Sequence, residues 1–465
     1  MAPGAVAFEL TVPVEASPRA IRACGLAGVR AVPVSCEWHD TVERALEGRG
    51  LALAEWRGRG LARWRLERRW DAPGQAARPL AEAMTLSGLA GAPEAPVAAV
   101  GGFAGRMRAG MAGTVEVMLL AGAMRAGALS APCCRVRLEG PAGAVAALAD
   151  ELAGVAGAAG CAPLAAWLGG PRPIRPVVPV LEEAQSASDA LATVCGHLAA
   201  AIAAQAGPAA AAAGPEPVHQ MRVAVRRLRS ALRLFREVGA GPELEGAADA
   251  LRALGHALGP ARDWDVFLGG VGRVVGAAFP DDAGVARLLA AAGRRREEAY
   301  AALRTALDGA AFRRLGIKLA LAAQSRPWEP GGETPALRAF AAAALGKRWR
   351  RLLAPGRDIA GLEPERLHAI RLEAKRARYA AELFAPLWGR QASSRFIRRV
   401  TALQEALGHL NDAAVAAALM SQLGAAGRGR AGGIVVGLVA ARAAGSREKI
   451  ESCWRKLRRT EVFWV

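Results

Sequence analysis

Apolar and polar residues alternate in short runs through the first 140 positions, as in VAFELTV, GLALAEWR, LARWRLERRW, TVEVMLL and CCRVRLEG. That period of two predicts β-strands. GAVAALADELAGV then shifts to helical spacing and closes this half. Pro171, Pro173, Pro176 and Pro179 follow within nine residues, which stops any helix and predicts a stiff linker at 171–180, with the boundary near residue 175. Beyond it, long segments with apolar residues every three to four positions run to the end of the chain, interrupted at GP, GPEP, GGETP and APGRD. This half is predicted to be all helix.

The helical half contains itself twice, at an offset of 149 residues. His219-Gln-Met-Arg222-Val-Ala-Val-Arg226-Arg227-Leu-Arg229 falls on His368-Ala-Ile-Arg371-Leu-Glu-Ala-Lys375-Arg376-Ala-Arg378, and Phe235 on Phe384. Ala257-Leu258-Gly259-Pro-Ala-Arg262-Asp263 meets Ala406-Leu407-Gly408-His-Leu-Asn411-Asp412 without net insertion. A unit this long is no solenoid repeat, and it predicts two similar helical bundles, at about 181–308 and 330–460, facing each other across a pseudo-twofold.

Placed on a helix, His219, Arg222, Arg226, Arg229, Arg233 and Arg236 share one face and form a ladder about 25 Å long. Val218, Met221, Val225, Leu228, Leu232 and Phe235 form the adjoining core-facing seam. The second ladder is His368, Arg371, Lys375 and Arg378, with Glu382 in place of the next arginine. Like charges at this spacing destabilise a helix by about 0.2–0.5 kcal/mol per pair. Either a bound polyanion or acidic neighbouring helices must relieve the first ladder. The two histidines read equally well as added anion donors and as neutral imidazoles hydrogen-bonded at a helix start. No second His or Cys lies at metal-ligand spacing. Asp263 and Asp412, after Gly-containing turns, read as helix N-caps.

Composition sharpens this. The 465 residues are 52% hydrophobic and 22% charged, enough apolar surface for two or three folded domains. The formal charge of +19 points to a polyanion or an anionic surface. Residues 1–180 hold 19 basic and 15 acidic residues, and the remainder 42 and 27, so the signal belongs to the helical half. Seven cysteines form no C-x-x-C pair and fit a reducing cytosol better than a disulfide framework. The N-terminus lacks the pattern of a signal peptide, and Leu152–Gly170, broken by Pro163, makes a poor bilayer span. No membrane association is expected, and the oligomeric state stays open.

The duplicated His219 and His368 motifs, with the ALGxxRD and ALGxLND segments after them, resemble the CHAD domain, the conserved-histidine α-helical domain, over about residues 181–465. The resemblance implies two pseudo-symmetric four-helix bundles enclosing a basic groove that binds inorganic polyphosphate, with targeting to polyphosphate granules in the cytoplasm. Its ligand set here is His219, Arg222, Arg226, Arg227, Arg229, Arg233, His368, Arg371, Lys375, Arg376 and Arg378. Forked guanidiniums suit a string of phosphates without bases.

Residues 1–170 resemble a CYTH domain of the triphosphate tunnel metalloenzymes, through Trp38-His39-Asp40-Thr41, Arg44-Ala-Leu, Gly50-Leu-Ala-Leu53 and Trp64. That implies an antiparallel β-tunnel, giving an α+β multidomain chain. The family's opening Glu-x-Glu-x-Lys survives here only as Glu9, and Arg135 and Arg137 stand where alternate carboxylates are expected. The implied result is a non-catalytic tunnel with no metal and no cofactor, in which Arg57, Arg69, Arg106, Arg108, Arg135 and Arg137 bind an anion. The alternatives are an active metal-dependent triphosphatase, and a generic nucleic-acid or polyanion binder.

Overall fold

The computed structural model describes residues 5–58, 61–68, 79–160, 179–239, 241–328, 335–359 and 361–465. The N-terminal half folds as one antiparallel sheet, joined by the helices α1 (Ser17–Ala23), α2 (Ala45–Gly48) and α3 (Ala142–Val155). Its strands are β1 (Ala5–Val12), β2 (Val32–Thr41), β3 (Leu51–Gly58), β4 (Leu61–Arg68), β5 (Pro79–Ala83), β6 (Val97–Ala112), β7 (Val115–Ala126), β8 (Leu129–Pro141) and β9 (Ala159–Gly160). They are ordered β5-β4-β3-β2-β6-β7-β8-β1-β9. Strand alternation sends Phe8, Leu10, Val117, Leu119, Val136 and Leu138 to an outer face, where they bury against α1 and α3. Glu9, Arg135 and Arg137 point to the opposite, inner face. The sheet curls until Glu67 of β4, far from β1 in strand order, feels the charges of Glu9 and Arg137.

Among the described residues twelve α-helices follow: α4 (Ala187–Ala210), α5 (Glu216–Leu234), α6 (Pro242–Phe267), α7 (Arg273–Ala278), α8 (Ala283–Asp308), α9 (Ala310–Ser325), α10 (Leu337–Leu353), α11 (Pro364–Phe384), α12 (Arg390–Gln422), α13 (Ala425–Arg428), α14 (Arg430–Ala444) and α15 (Ser446–Arg458). The chain is therefore α+β with an antiparallel sheet followed by an all-helical half. A capping box starts α4: Asp189 N–H donates to Ser186 Oγ at 3.1 Å and Ser186 N–H to Asp189 Oδ2 at 3.0 Å. By length and composition α4 is the one helix among the described residues able to cross a membrane, yet Leu191, Cys195, Leu198 and Ile202 are buried in the helical core. Both seams point inward, Val218 to Phe235 from α5 and Leu367 to Phe384 from α11. Phe235 and Phe384 meet at 5.8 Å between ring centroids, and Phe340 of α10 stacks on Phe235 at 4.9 Å. The first repeat spans α4 to α8 and the second α10 to α15, where the counterpart of α8 is split at Gly445.

Two expected breaks are absent. Pro208 and Pro260 lie inside α4 and α6. Each follows a glycine, Gly207 or Gly259, so the usual clash between the proline ring and the preceding Cβ does not arise. Asp263 and Asp412 are consequently mid-helix residues of α6 and α12, not N-caps. Most of the expected 171–180 linker lies outside the described residues.

α9 belongs to both halves. Leu315, Leu319 and Ala322 pack into the helical core, while Ile317, Ala320 and Leu321 pack against the outer face of the sheet. Arg313 Nε donates to Ala153 O at 3.2 Å, and Arg314 pairs with Asp150 at 3.2 Å, both on α3.

Candidate functional site

Helical periodicity places the basic residues of α5 and α11 beside their apolar seams, and the packing of α5 on α11 turns the two ladders toward each other. Lys375 is the centre: Arg226, Arg371, Arg222 and Arg378 all act on it. Burial first, and those guanidiniums second, push its ammonium down to about 8. Arg226 and Lys375 are repeat mates, and they lie close enough for the one to act on the other. Tyr379 lies between the ladders, its ring 5.7 Å from the Arg226 guanidinium and 5.1 Å from that of Arg378. Arg226 Nε, Arg371 Nε, Arg378 Nε and Tyr379 Oη are buried without a hydrogen-bond partner. Buried donors of that kind are costly unless something accepts from them.

Acidic neighbours relieve only part of the strain. Asp263 lies close enough to offset part of the burial that lowers the Arg222 pKa, and Arg227 Nη2 pairs with Glu382 at 3.0 Å. Arg376 pairs with Glu373. Arg229 and Arg233 are held below the ordinary arginine range by burial and then by other cations: Arg233 and Arg252 act on the first, Arg376 and Arg252 on the second. The ALGxxRD segment gains a role that reading it as a turn missed. Asp263 faces Arg222, and Gly259 lies beside the same guanidinium, where even a Cβ would make only an ordinary contact of 3.4 Å with Arg222 Nη1. The histidines differ. His219 is half-buried, its pKa lowered by burial and then by Arg262, whereas His368 is exposed.

The ladder predicts a pH effect. An anion beside Lys375 favours its charged form, so the complex holds more protons than the free protein above pH 8. Affinity for a polyanion should therefore fall as pH rises through 8, by up to about tenfold between pH 7 and 9. Titrations at constant ionic strength measure this, and Lys375→Arg should flatten the profile.

In the N-terminal half the expected arginines do not converge. Arg135 and Arg137 face inward, near Glu9 at 3.8 Å and Glu139 at 3.1 Å respectively. Arg106 Nη2 and Arg108 Nε instead donate to Ala31 O at 3.3 Å and Val29 O at 3.2 Å, bracing the segment before β2 on the outer side. Arg57 also faces outward, donating to both carboxylate oxygens of Glu55 at 3.0 and 2.7 Å. Arg69 lies outside the described residues. Arg65 and Glu67 complete the inner cluster and were missed by sequence. Burial raises Glu9, and pushes Glu67 up to about 7. Two carboxyls driven toward neutrality, with Arg65, Arg135 and Arg137 beside them, do not fit a divalent-cation cradle. On the outer face Glu37, His39 and Glu55 bring ligand atoms within 4.8 Å of one another, but Arg57 already engages both glutamates.

A helical pair of facing basic ladders, duplicated along the chain, defines the class. Residues 192–421 match the CHAD domain family, and the chain carries a CHAD domain. The helical fold is similar to the crystal structure of the CHAD domain from the plant Ricinus communis, at 27% identity and a TM-score of 0.53, over 63% of this chain and 99% of that one. PptA from Streptomyces chartreusis superimposes more loosely, with 22% identity and a TM-score of 0.42 over 59% of this chain and 99% of that chain. A candidate adenylate cyclase from Bacillus halodurans, at 12% identity and a TM-score of 0.24 over 32% of this chain and 89% of that one, is too distant to carry an argument. No curated protein matches the chain.

Proposed function

We propose that the chain binds inorganic polyphosphate in the groove between α5 and α11, without catalysis, as a cytoplasmic factor on polyphosphate granules. The observation that carries this reading is the pair of facing ladders whose buried guanidinium N–H groups lack acceptors. A flexible chain of closely spaced phosphates supplies such acceptors at every step and has no bases to accommodate. Nucleic acid fits less well, because Tyr379, the aromatic residue between the ladders, is only 7% exposed and offers no platform for stacking. The N-terminal half is read as non-catalytic because its inner carboxyls are matched with arginines.

Competition at fixed salt tests the proposal. Duplex DNA matched in charge should displace labelled long-chain polyphosphate from the full chain at least about tenfold less effectively than unlabelled polyphosphate does. Equal displacement would replace the proposal with a generic polyanion binder.

A further inference from the structure

The offset that carries α5 onto α11 also carries α4 onto α10, so that Val194, Leu198, Ala199 and Ile202 fall on Ala343, Lys347, Arg348 and Arg351. These mates occupy equivalent places in the fold. At one mouth of the groove Val194, Leu198, Arg227 and Glu382 line a small recess. At the other, their mates Ala343, Lys347, Arg376 and Arg233 line a cleft of about 510 Å³.

The two mouths carry different chemistry. The larger one gathers Arg233, Arg236, Lys347, Arg348, Arg351 and Arg376. Two carboxylates answer them: Glu237 on Lys347 at 2.8 Å and Glu373 on Arg376. The mates of those six cations are Glu382, Ala385, Leu198, Ala199, Ile202 and Arg227, a single cation and a single carboxylate. Where the first repeat sets Arg233 beside Arg376, the second sets Glu382 against Arg227 at 3.0 Å, and Glu382 also reaches Arg378 at 3.6 Å. Glu382 thus occupies two guanidiniums that would otherwise continue the groove, and repels a phosphate arriving there.

We infer that the groove is one-ended: Glu382 stops the anionic chain at the α4 mouth, and the chain leaves through the cationic cleft of α10. This rests on the polyphosphate reading above and adds a direction to it. The terminal phosphates seat near Lys375, and the remainder runs out past Arg233 and Lys347. Short oligophosphates need only the centre, and long ones gain from one side alone.

The test uses the full chain and polyphosphates of defined length. Glu382→Arg installs the residue that the first repeat holds at this place. It should raise long-chain affinity about tenfold and steepen the dependence of log affinity on log salt by about one or two. Glu382→Gln, which keeps the shape, should act in the same direction more weakly and decides the matter if the arginine variant does not fold. Lys347→Glu with Arg351→Glu should weaken long chains about tenfold and leave tripolyphosphate unchanged. Unaltered or lower long-chain affinity in both Glu382 variants overturns the one-ended groove. If Arg226→Glu with Lys375→Glu also leaves binding intact, the polyphosphate reading itself fails; if that pair abolishes binding, only the direction is wrong.

Discussion

Arg226→Glu combined with Lys375→Glu should abolish binding of long-chain polyphosphate, with a loss of at least about a thousandfold at fixed salt. Each single reversal should cost about 30- to 100-fold, since it replaces a half-buried donor by a half-buried repeller. The two residues act on each other directly, so the effects should not simply add. Fluorescence polarisation with end-labelled polyphosphate measures the loss, and circular dichroism checks that the helices persist. The reversal also removes a like-charge cluster, so the free protein should be no less stable. Unchanged affinity in the double variant would take the groove out of the protein's function.

Phe235→Ala should destabilise the helical half by about 3–5 kcal/mol, and Phe384→Ala by a similar amount. Both rings are fully buried at 0% exposure, at the junction of the two repeats. Phe340 bridges them, stacked on Phe235 and edge-on to Phe384 at 6.2 Å. Neither cavity can collapse without pulling α5, α10 and α11 together. Denaturant midpoints should fall with little change in slope. A shift below about 1 kcal/mol would mean that the repeats are held together elsewhere.

Much of the helical half is legible in the sequence because a spacing of three and four residues fixes the face of a helix without knowledge of its partners. The ladders and both seams follow from that alone, and the offset follows from the recurrence of the His219 motif at His368. Asp263 was misread because Gly259-Pro260 looks like a stop, and only the packed helix shows that a glycine lets the proline pass. The role of Glu382 depends on a contact with Arg227, 155 residues away, which no local pattern encodes. Lys347, Arg348 and Arg351 could have been found by extending the offset backward through GKRWRRLL. The strands were less legible for a different reason. Successive residues face opposite ways, so an alignment loose by one position sends an arginine to the wrong side. That is how Arg57, Arg106 and Arg108 were assigned to an interior they do not line.

The sharing of α9 has a consequence for how the two halves work together. One helix turns one side to the bundle and another to the sheet, so the core on the outer face of the sheet is completed by a helix of the other half. A displacement of α9 is passed to the outer face of β1, on Phe8 and Leu10, one residue to either side of Glu9. The protein should therefore answer a load as a single lever rather than as two beads on a string.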